Sequence, residues 1–241
     1  MLEYIARVVT AKGGVAIDAG ANIGNHSVFF GAVVGSQVIS VEPNGNVISV
    51  LERNLKTNLG VSHVLHCALG AAAGSGVVVG GPANVGGARV VTPVEAAEAP
   101  DKLGTTTIRT LDSVVANEVA CLSPRARITL IKIDVEGMEA EVLAGAQETL
   151  RAHHPHLFIE AGTSKHLTTL RALLEPLGYR SISKWAATPV YHFVHEPSLR
   201  LRLEARLLSY LRLSRIVRQG RHTVTRVLRE RPRWHSSARE L

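Results

Sequence analysis

Residues 16–26 read Ala-Ile-Asp-Ala-Gly-Ala-Asn-Ile-Gly-Asn-His, and the fold that the chain predicts starts from this stretch. The apolar run that ends at Asp18 indicates a buried strand, Gly20 indicates a tight turn, and Asn25–Val34 has the pattern of a helix. In such a strand–turn–helix unit, small residues let the backbone approach a ligand closely. The stretch therefore predicts a nucleotide-binding turn at the edge of a parallel α/β sheet.

An acidic residue ends the next predicted strand, Gln37–Glu42. Glu42 lies 22 residues after Gly20 in the sequence. At about this spacing, a carboxylate on the second strand accepts hydrogen bonds from both hydroxyl groups of a bound ribose. The turn and Glu42 together therefore predict a site for a nucleoside.

The side chains around the turn disfavour a nucleoside that carries a phosphate. A dinucleotide site needs the pattern G-x-G-x-x-G, but Asn22 and Asn25 stand where glycines would be expected. The Asp18 carboxylate at the strand tip would repel a pyrophosphate, whereas it suits an ammonium group. S-adenosylmethionine carries a ribose and an α-ammonium group but no phosphate, so the turn predicts this cofactor rather than NAD. A turn that binds nothing is the alternative.

The first 197 residues predict one α/β domain, because β-branched runs alternate with helical patterns. A Gly-, Ala- and Pro-rich insertion, Gly70–Thr107, interrupts the alternation, and Val77–Val79 and Arg89–Val91 in it are predicted hairpin strands. The other predicted strands are His63–Ala68, Thr129–Asp134, His156–Glu160, Tyr179–Ser183 and Val190–His195. The other predicted helices are Asn44–Asn58, Leu111–Val119, Glu139–Leu150 and His166–Leu174.

The net charge of +7 belongs to the end of the chain. Residues 200–241 hold 12 arginines and 3 glutamates, whereas the first 199 residues hold 15 basic and 17 acidic residues. The domain is therefore nearly neutral, and its charge gives no reason to expect nucleic-acid binding. Two cysteines exclude a disulfide framework or a four-cysteine zinc site. No apolar run is long enough for a membrane span, so we expect a cytoplasmic protein.

Residues 198–241 predict a basic appendage. Leu199, Leu203, Leu207 and Leu211 recur every four residues among arginines, which is typical of an amphipathic helix, and the end of the chain is predicted to be disordered. Three uses of the helix stay open. Its leucines pack on the domain, it lies peripherally on an anionic membrane surface, or it contacts nucleic acid, which the few aromatic side chains of the tail disfavour.

Three acidic side chains follow neighbouring strands. Asp134 ends the most apolar strand, Glu136 lies in the next turn, and Glu160 ends the following strand. Ligands of open α/β sheets bind at this carboxyl edge, and an alcohol needs a base to take its proton. We therefore predict Asp134 and Glu136 as the catalytic or substrate-orienting pair. In the alternative interpretation, Asp134 organises the turn and Glu136 caps the helix that begins near Glu139.

A divalent cation held by Asp134, Glu136 and Glu160 is a further alternative, since magnesium prefers oxygen ligands. The spacing alone gives it weak support. No metal is therefore predicted.

Five segments resemble the FkbM-type methyltransferases: Asp18–Gly24, Val41–Pro43, Thr110–Asp112, Ile131–Glu139 (Ile-Lys-Ile-Asp-Val-Glu-Gly-Met-Glu) and Val142–Ala146. The resemblance covers roughly residues 15–161 and is most specific in the Lys-Ile-Asp-Val-Glu-Gly segment. It implies a class I methyltransferase Rossmann-like fold, with a seven-stranded, mostly parallel sheet, helices on both faces and an antiparallel last strand. It also implies that the cofactor site is lined by Asp18, Gly20, Asn22, Gly24 and Glu42.

The resemblance further implies methyl transfer from S-adenosylmethionine, usually to oxygen, on metabolites such as sugars, lipid-linked glycans or polyketides. We therefore expect an O-methyltransferase that acts on a small molecule or a glycan. A nicotinamide-dependent oxidoreductase is a second hypothesis, which the missing third glycine and Asp18 disfavour. A third is a non-catalytic binding protein that keeps the fold and uses the tail for membranes or partners.

Overall fold

The computed structural model describes residues 1–9, 13–80, 87–99, 101–119, 126–185 and 188–218, with side chains as far as residue 210 in the last range. The strands are β1 Val15–Ala19, β2 Gln37–Val41, β3 Val64–Leu65, β4 Ala68–Leu69, β5 Gly74–Val79, β6 Arg89–Val91, β7 Lys102–Arg109, β8 Ile128–Ile133, β9 His156–Glu160, β10 Tyr179–Trp185 and β11 Val190–His195. The predicted disorder at the end of the tail falls outside the described residues.

The helices are α1 Leu2–Val8, α2 Asn25–Phe29, α3 Gly45–Leu59, α4 Pro93–Ala96, α5 Leu111–Val114, α6 Glu139–Ala144, α7 Gln147–His153, α8 Ser164–Leu174 and α9 Leu199–Arg218. α2 and α5 continue as π-helical turns at Phe30–Val34 and Val115–Val119, and a 3₁₀ turn, Glu175–Leu177, follows α8. The sequence patterns did not predict α1. None of the described helices combines the length and the apolar character that a membrane crossing requires.

Within the described residues, the large sheet has seven strands in the order β10-β11-β9-β8-β1-β2-β3. The pairs β1–β2, β2–β3, β1–β8 and β8–β9 are parallel, and β11 runs antiparallel to both β9 and β10. The predicted mostly parallel sheet with an antiparallel last strand is confirmed. Its order reverses between β1 and β8, and the crevice between their carboxyl ends is where such sheets bind ligands.

Side chains of the central strands alternate between two apolar clusters. Ile17 of β1 belongs to a cluster with residues of α5, α6, α7 and α8, whereas Ala16 belongs to one with residues of α1, α9 and the π-helical end of α2. Both faces of the sheet are therefore covered by helices, as predicted. Burial on both faces explains why β1 reads as a continuous apolar run rather than as an alternating pattern.

The prediction of one strand over His63–Ala68 is wrong. β3 extends the large sheet, whereas β4 joins a second sheet in the order β4-β7-β5-β6. Between them the backbone turns, and the Cys67 N–H donates to the Leu65 carbonyl over 3.0 Å. The insertion supplies β5, β6 and most of β7, which ends at Arg109. The antiparallel pairing of β5 with β6 confirms the predicted hairpin.

The prediction of one helix over Glu139–Leu150 is also wrong, because α6 ends before Gly145 and α7 begins at Gln147. The Gly145 carbonyl accepts a hydrogen bond from the Asp112 N–H over 2.9 Å, outside the helix. A Cβ atom at Gly145 would overlap the carbonyl oxygen of Gly70, so only glycine fits at this close approach. The Asp112 carboxylate accepts hydrogen bonds from the N–H groups of Glu148 and Thr149, over 3.1 and 2.8 Å, and thereby caps the new helix.

The beginning of α9 packs on the domain, and Ala205 is fully buried there. The predicted helix is confirmed, but the face that docks is not the one formed by Leu199, Leu203 and Leu207. Those three leucines are exposed, so the interpretation that they pack on the domain is wrong. Leu211 lies outside the residues whose side chains are described.

A buried chain of polar rings lies beside α1. The Tyr4 hydroxyl and the His192 Nδ1 atom are hydrogen-bonded over 2.9 Å, and His192 Nε2 is hydrogen-bonded to His156 Nδ1 over 2.9 Å. Burial lowers the pKa of His156 to about 4, and burial together with the His156 charge lowers the pKa of His192 well below its usual value. Both rings are therefore neutral in the folded protein at pH 7.

We expect the free energy of unfolding to fall as the pH is lowered from about 6.5 to 4. In this range His156 and His192 bind protons in the unfolded chain but stay neutral in the folded protein, because burial lowers their pKa values. The slope is about 1.4 kcal/mol per pH unit for each proton. Urea unfolding across this range should show a smaller fall for His156→Gln than for the wild type. The exposed His63→Gln variant is the control, and an unchanged slope in His156→Gln would contradict the assignment.

Candidate functional site

The turn after β1 is built from left-handed residues. Gly20, Asn22 and Gly24 have φ values of +77°, +49° and +91°. The N–H groups of Gly20 and Ala21 both donate to the Val41 carbonyl, over 3.0 and 3.1 Å. The end of β2 therefore holds the turn open toward the carboxyl edge of the sheet.

Two of the predicted glycines lie in close contact with other elements. A Cβ atom on Gly20 would overlap the carbonyl oxygen of Asp134 at the end of β8. One on Gly24 would lie 2.8 Å from Leu51 Cδ1 on α3. Gly20 thus joins the tips of β1 and β8, whereas Gly24 lets α3 pack under the turn.

Glu42 is buried, and its two carboxylate oxygens accept hydrogen bonds from the turn and from the start of α3. Oε2 accepts from the Asn22 N–H and Oε1 accepts from the Asn44 N–H, each over 2.8 Å. Burial raises the pKa of Glu42, and the two N–H groups oppose that rise. Each oxygen keeps a further acceptor site, since a carboxylate has about four lone-pair positions.

A crevice opens at this edge of the sheet. Gly20, Asn22, Glu42, Asp134 and Glu136, all predicted from the sequence, lie along its wall. The rest of its wall is largely apolar and includes Val41, Pro43, Cys67, Leu69, Val90 and Met138. The fold therefore brings five of the seven predicted site residues to one crevice.

The other two predicted residues, Asp18 and Gly24, are buried and do not line the crevice. Asp18 Oδ2 accepts a hydrogen bond from the Ser27 hydroxyl over 2.6 Å, and Ser27 in turn accepts from the Ser40 hydroxyl. Asp18 is therefore part of the support of the site, and its contact with an ammonium group stays a prediction.

Lys132 lies on β8 between two carboxylates. Its Nζ atom is 3.4 Å from Asp18 Oδ1 and 3.2 Å from Asp134 Oδ2, and it donates to the Gly20 carbonyl over 3.3 Å. Burial acts to lower the pKa of Lys132, but the charges of Asp18 and Asp134 outweigh burial and raise it. The lysine is therefore charged and fixes both acids in place.

Three carboxyl groups meet beside this lysine. Asp134, Glu136 and Glu160 each offer an oxygen within 4.8 Å of the others. Their spacing matches hard oxygen ligands, but exposed acids cluster without an ion in many proteins, so the arrangement alone does not indicate a metal. The carboxyl ends of β8 and β9 thus bring together the residues that the sequence placed at one edge.

The three carboxyl groups differ in their proton affinity. Burial acts to raise the pKa of Asp134, but the Lys132 charge and a hydrogen bond from Glu160 outweigh it and lower the pKa. The hydrogen bond with Asp134, together with burial, raises the pKa of Glu160 to about 8. Glu160 is therefore protonated at neutral pH and donates to an ionised Asp134.

Glu136 stands apart from that pair. Its side chain is exposed and its backbone has φ = +55°, an uncommon conformation for a residue other than glycine. Partial burial, followed by the charges of Asp134 and Glu139, raises the pKa of Glu136. Uncommon backbone conformations of this kind cluster at functional sites.

Sequence reasoning missed the role of Glu139. Its Oε1 atom accepts from the N–H groups of Val135 and Gly137, each over 3.2 Å, and its Oε2 atom lies 3.2 Å from His166 Nε2. Glu139 rather than Glu136 therefore holds the turn after β8. The signal was an acid at the first position of a predicted helix directly after a glycine turn.

Comparisons with known proteins show what the chain is similar to. Residues 18–181 match the family model described as "Methyltransferase FkbM domain". The methyltransferase sdnD of Sordaria araneosa is 30% identical over 198 residues, which are 70% of this chain and 76% of that protein.

The crystal structure of methyltransferase FkbM from Methylobacillus flagellatus KT is also similar, with a TM-score of 0.54 and 20% identity. The match covers 75% of this chain but only 43% of that one, so the chain spans less than half of that relative's length. At this identity the likeness supports the shared fold.

We expect Gly20→Ala to lower the free energy of unfolding by at least about 2 kcal/mol more than Gly35→Ala, since the new methyl group must displace backbone. Gly35 is a matched control because its φ is +76° and a Cβ atom there has no neighbour within 4 Å. Chemical denaturation measures both values. Equal losses would show that backbone strain alone, rather than the approach of β8, requires glycine at the turn.

Proposed function

The chain belongs to the FkbM methyltransferase family, and from that membership we propose that it methylates a hydroxyl oxygen of a small-molecule, sugar or lipid-linked glycan acceptor. The family and its class I fold imply S-adenosylmethionine as the cofactor. The observation that carries the proposal is that one crevice is lined both by Glu42 and by the acids after β8.

The residues of the crevice fit S-adenosylmethionine. Glu42 faces the crevice with one acceptor position left on each oxygen, which suits two ribose hydroxyl groups. The apolar wall that includes Leu69 and Met138 suits a nucleobase. Near the acids, Lys132 is a single positive charge against Asp18, Asp134 and Glu136, so the remaining negative charge suits an ammonium and a sulfonium group.

Bound S-adenosylmethionine supplies a methyl group that its positive sulfur has already activated. The protein then has to align the acceptor hydroxyl and take its proton. Glu136 is the better proton acceptor, because it is exposed to the crevice and its pKa is raised toward the working pH. Asp134 is the weaker base, since Lys132 lowers its pKa, and it suits orientation of the hydroxyl group.

His26, which follows the glycine turn, is a second candidate for the base that takes the hydroxyl proton. Burial and then the Lys132 charge lower its pKa, so its ring is neutral at pH 7. Its ring packs against Phe30 with centroids 6.1 Å apart, and His26 does not line the crevice. The geometry therefore favours Glu136, and His26 serves as a control.

The charges of the crevice also favour a neutral hydroxyl compound as the acceptor. Asp134 and Glu136 face the space that an acceptor would enter. A nucleic-acid backbone would bring phosphates toward these carboxylates, and a nicotinamide cofactor would bring a pyrophosphate. A neutral hydroxyl compound, by contrast, donates hydrogen bonds to them. We therefore favour an O-methyltransferase over an enzyme of nucleic acids or an oxidoreductase.

We expect Glu42→Ala to weaken the binding of S-adenosylhomocysteine at least tenfold, because a charged hydrogen-bond acceptor for the ribose is lost. Calorimetric titration of the full chain measures this, with NADH as the second ligand. Glu52→Ala, an exposed acid on α3, is the matched control. Thermal melting of each variant verifies folding, and unchanged affinity in a folded Glu42→Ala protein would remove the assignment.

We expect Glu136→Gln to lower kcat about 100-fold or more, with the affinity for S-adenosylhomocysteine changed less than about threefold, since only the proton acceptor is lost. Formation of S-adenosylhomocysteine over a panel of hydroxyl compounds measures the rate. Wild-type kcat should fall as the pH drops through the raised pKa of Glu136, and the variant should lack this acid limb.

Two variants serve as references for Glu136→Gln. Glu141→Gln changes an exposed acid on α6 and should behave as the wild type. His26→Gln should retain most of the activity. A larger loss in His26→Gln than in Glu136→Gln would transfer the role of base to the histidine.

A further inference from the structure

Helix α9 presents a row of apolar side chains to solvent. Leu199, Leu203, Leu207 and Tyr210 are 69%, 58%, 57% and 71% exposed, and their spacing places them on one side of the helix. In the part of the chain that the structure describes, seven large apolar side chains are exposed, and these are four of them. Such clustering differs from the scattered exposed apolar residues of an ordinary surface.

The opposite side of the same helix is the docked side. Ala205 is fully buried, and Leu201 and Leu208 pack against the apolar cluster that contains Tyr4 and Trp185. On an ideal helix, with about 100° per residue, these three positions lie roughly opposite the exposed row. The core does not need the exposed leucines, because a different apolar side of α9 packs against it.

One ion pair joins α9 to α1, and two local hydrogen bonds stabilise the start of α9. Glu204 lies 3.2 Å from Arg7 of α1, and the Arg202 guanidinium donates to the Pro197 carbonyl over 3.2 Å. The Ser198 hydroxyl accepts from the Leu201 N–H over 3.2 Å at the start of the helix. The docked side of α9, with Ala205 buried, turns the exposed row toward solvent.

Positive charge borders the row on both sides. Arg200 and Arg206 are exposed, and on an ideal helix they lie on either side of the four apolar positions. Beyond them the sequence continues with Arg212, Arg215 and Arg218. We call Leu199, Leu203, Leu207 and Tyr210, with Arg200 and Arg206, the leucine–arginine face.

We propose that the leucine–arginine face lies on the surface of an anionic lipid bilayer, with α9 in the plane of the interface. Leucines enter the boundary of the acyl chains, Tyr210 suits the interface because its ring is apolar and its hydroxyl polar, and the arginines meet lipid phosphates. Each arginine near an anionic bilayer strengthens partition about fivefold. This surface is separate from the crevice and does not depend on the reaction proposed there.

The charges of the chain argue against the two other occupants. A second copy docked face to face would oppose Arg200 and Arg206 with the arginines of its partner, which costs energy. A nucleic acid would pair with the arginines, but it gives no apolar cover to three leucines. An anionic bilayer covers the apolar side chains of the face and also pairs with its arginines.

The test is co-sedimentation of the full chain with vesicles of phosphatidylcholine, with and without about 30% phosphatidylglycerol. We expect at least tenfold stronger binding to the anionic vesicles, and weaker binding when salt is raised from about 0.1 to 0.5 M. Leu203→Asp/Leu207→Asp should bind at least tenfold more weakly than the wild type. Val61→Asp/Val94→Asp is the matched control, since it adds the same two charges at exposed apolar positions elsewhere.

Circular dichroism verifies that both double variants fold, and sedimentation velocity without lipid reports their oligomeric state. Equal binding to neutral and anionic vesicles, unchanged binding of Leu203→Asp/Leu207→Asp, or an equal loss in the control would overturn the proposal. So would a wild-type dimer that the leucine variant converts to a monomer, because the face would then be an interface between copies. Retained methyl transfer in the leucine variant would separate this result from the function of the crevice.

Discussion

A buried lysine between two aspartates is the interaction on which both the fold and the site depend. Lys132 on β8 contacts Asp18 at the end of β1 and Asp134 at its own strand end, and it donates to the Gly20 carbonyl. A buried charge that loses its partner costs several kcal/mol, so these groups keep their positions together. The ion pairs thereby join the tips of two parallel strands across the place where the sheet reverses its order.

The same lysine helps to set different pKa values for the acids around it. Its charge stabilises ionised Asp134, and Glu160 keeps its proton because its ionised form would face Asp134 at hydrogen-bond distance. Glu136, which lies outside this pair, has a raised pKa and a side chain open to the crevice. The adjacent ends of β8 and β9 therefore hold a carboxylate, a carboxylic acid and a more basic carboxylate, and acid–base chemistry needs such differences.

The sequence alone predicted the turn and Glu42, because the apolar run, the glycines after it and the acid 22 residues beyond Gly20 form a recognisable pattern. Tertiary contacts decided what the sequence could not. Asp112 binds the Gly145 carbonyl and caps the next helix, which divides a helix that periodicity had joined. Asp18 faces Ser27 and Lys132 rather than the crevice. In α9, periodicity indicated the row that begins at Leu199, but Ala205 and its neighbours on another side of the helix are the ones that dock.

The distribution of charge connects the two surfaces of the protein. The first 199 residues are close to neutral, yet the crevice gathers carboxylates while the arginines of the chain concentrate in α9 and beyond it. At physiological salt, charges separated by more than about 8 Å barely interact through water, so each surface keeps its own sign. An anionic bilayer would attract the helix without drawing on the crevice, whose carboxylates repel phosphate. Attachment through α9, as proposed above, would therefore leave the acidic crevice free for its own ligands.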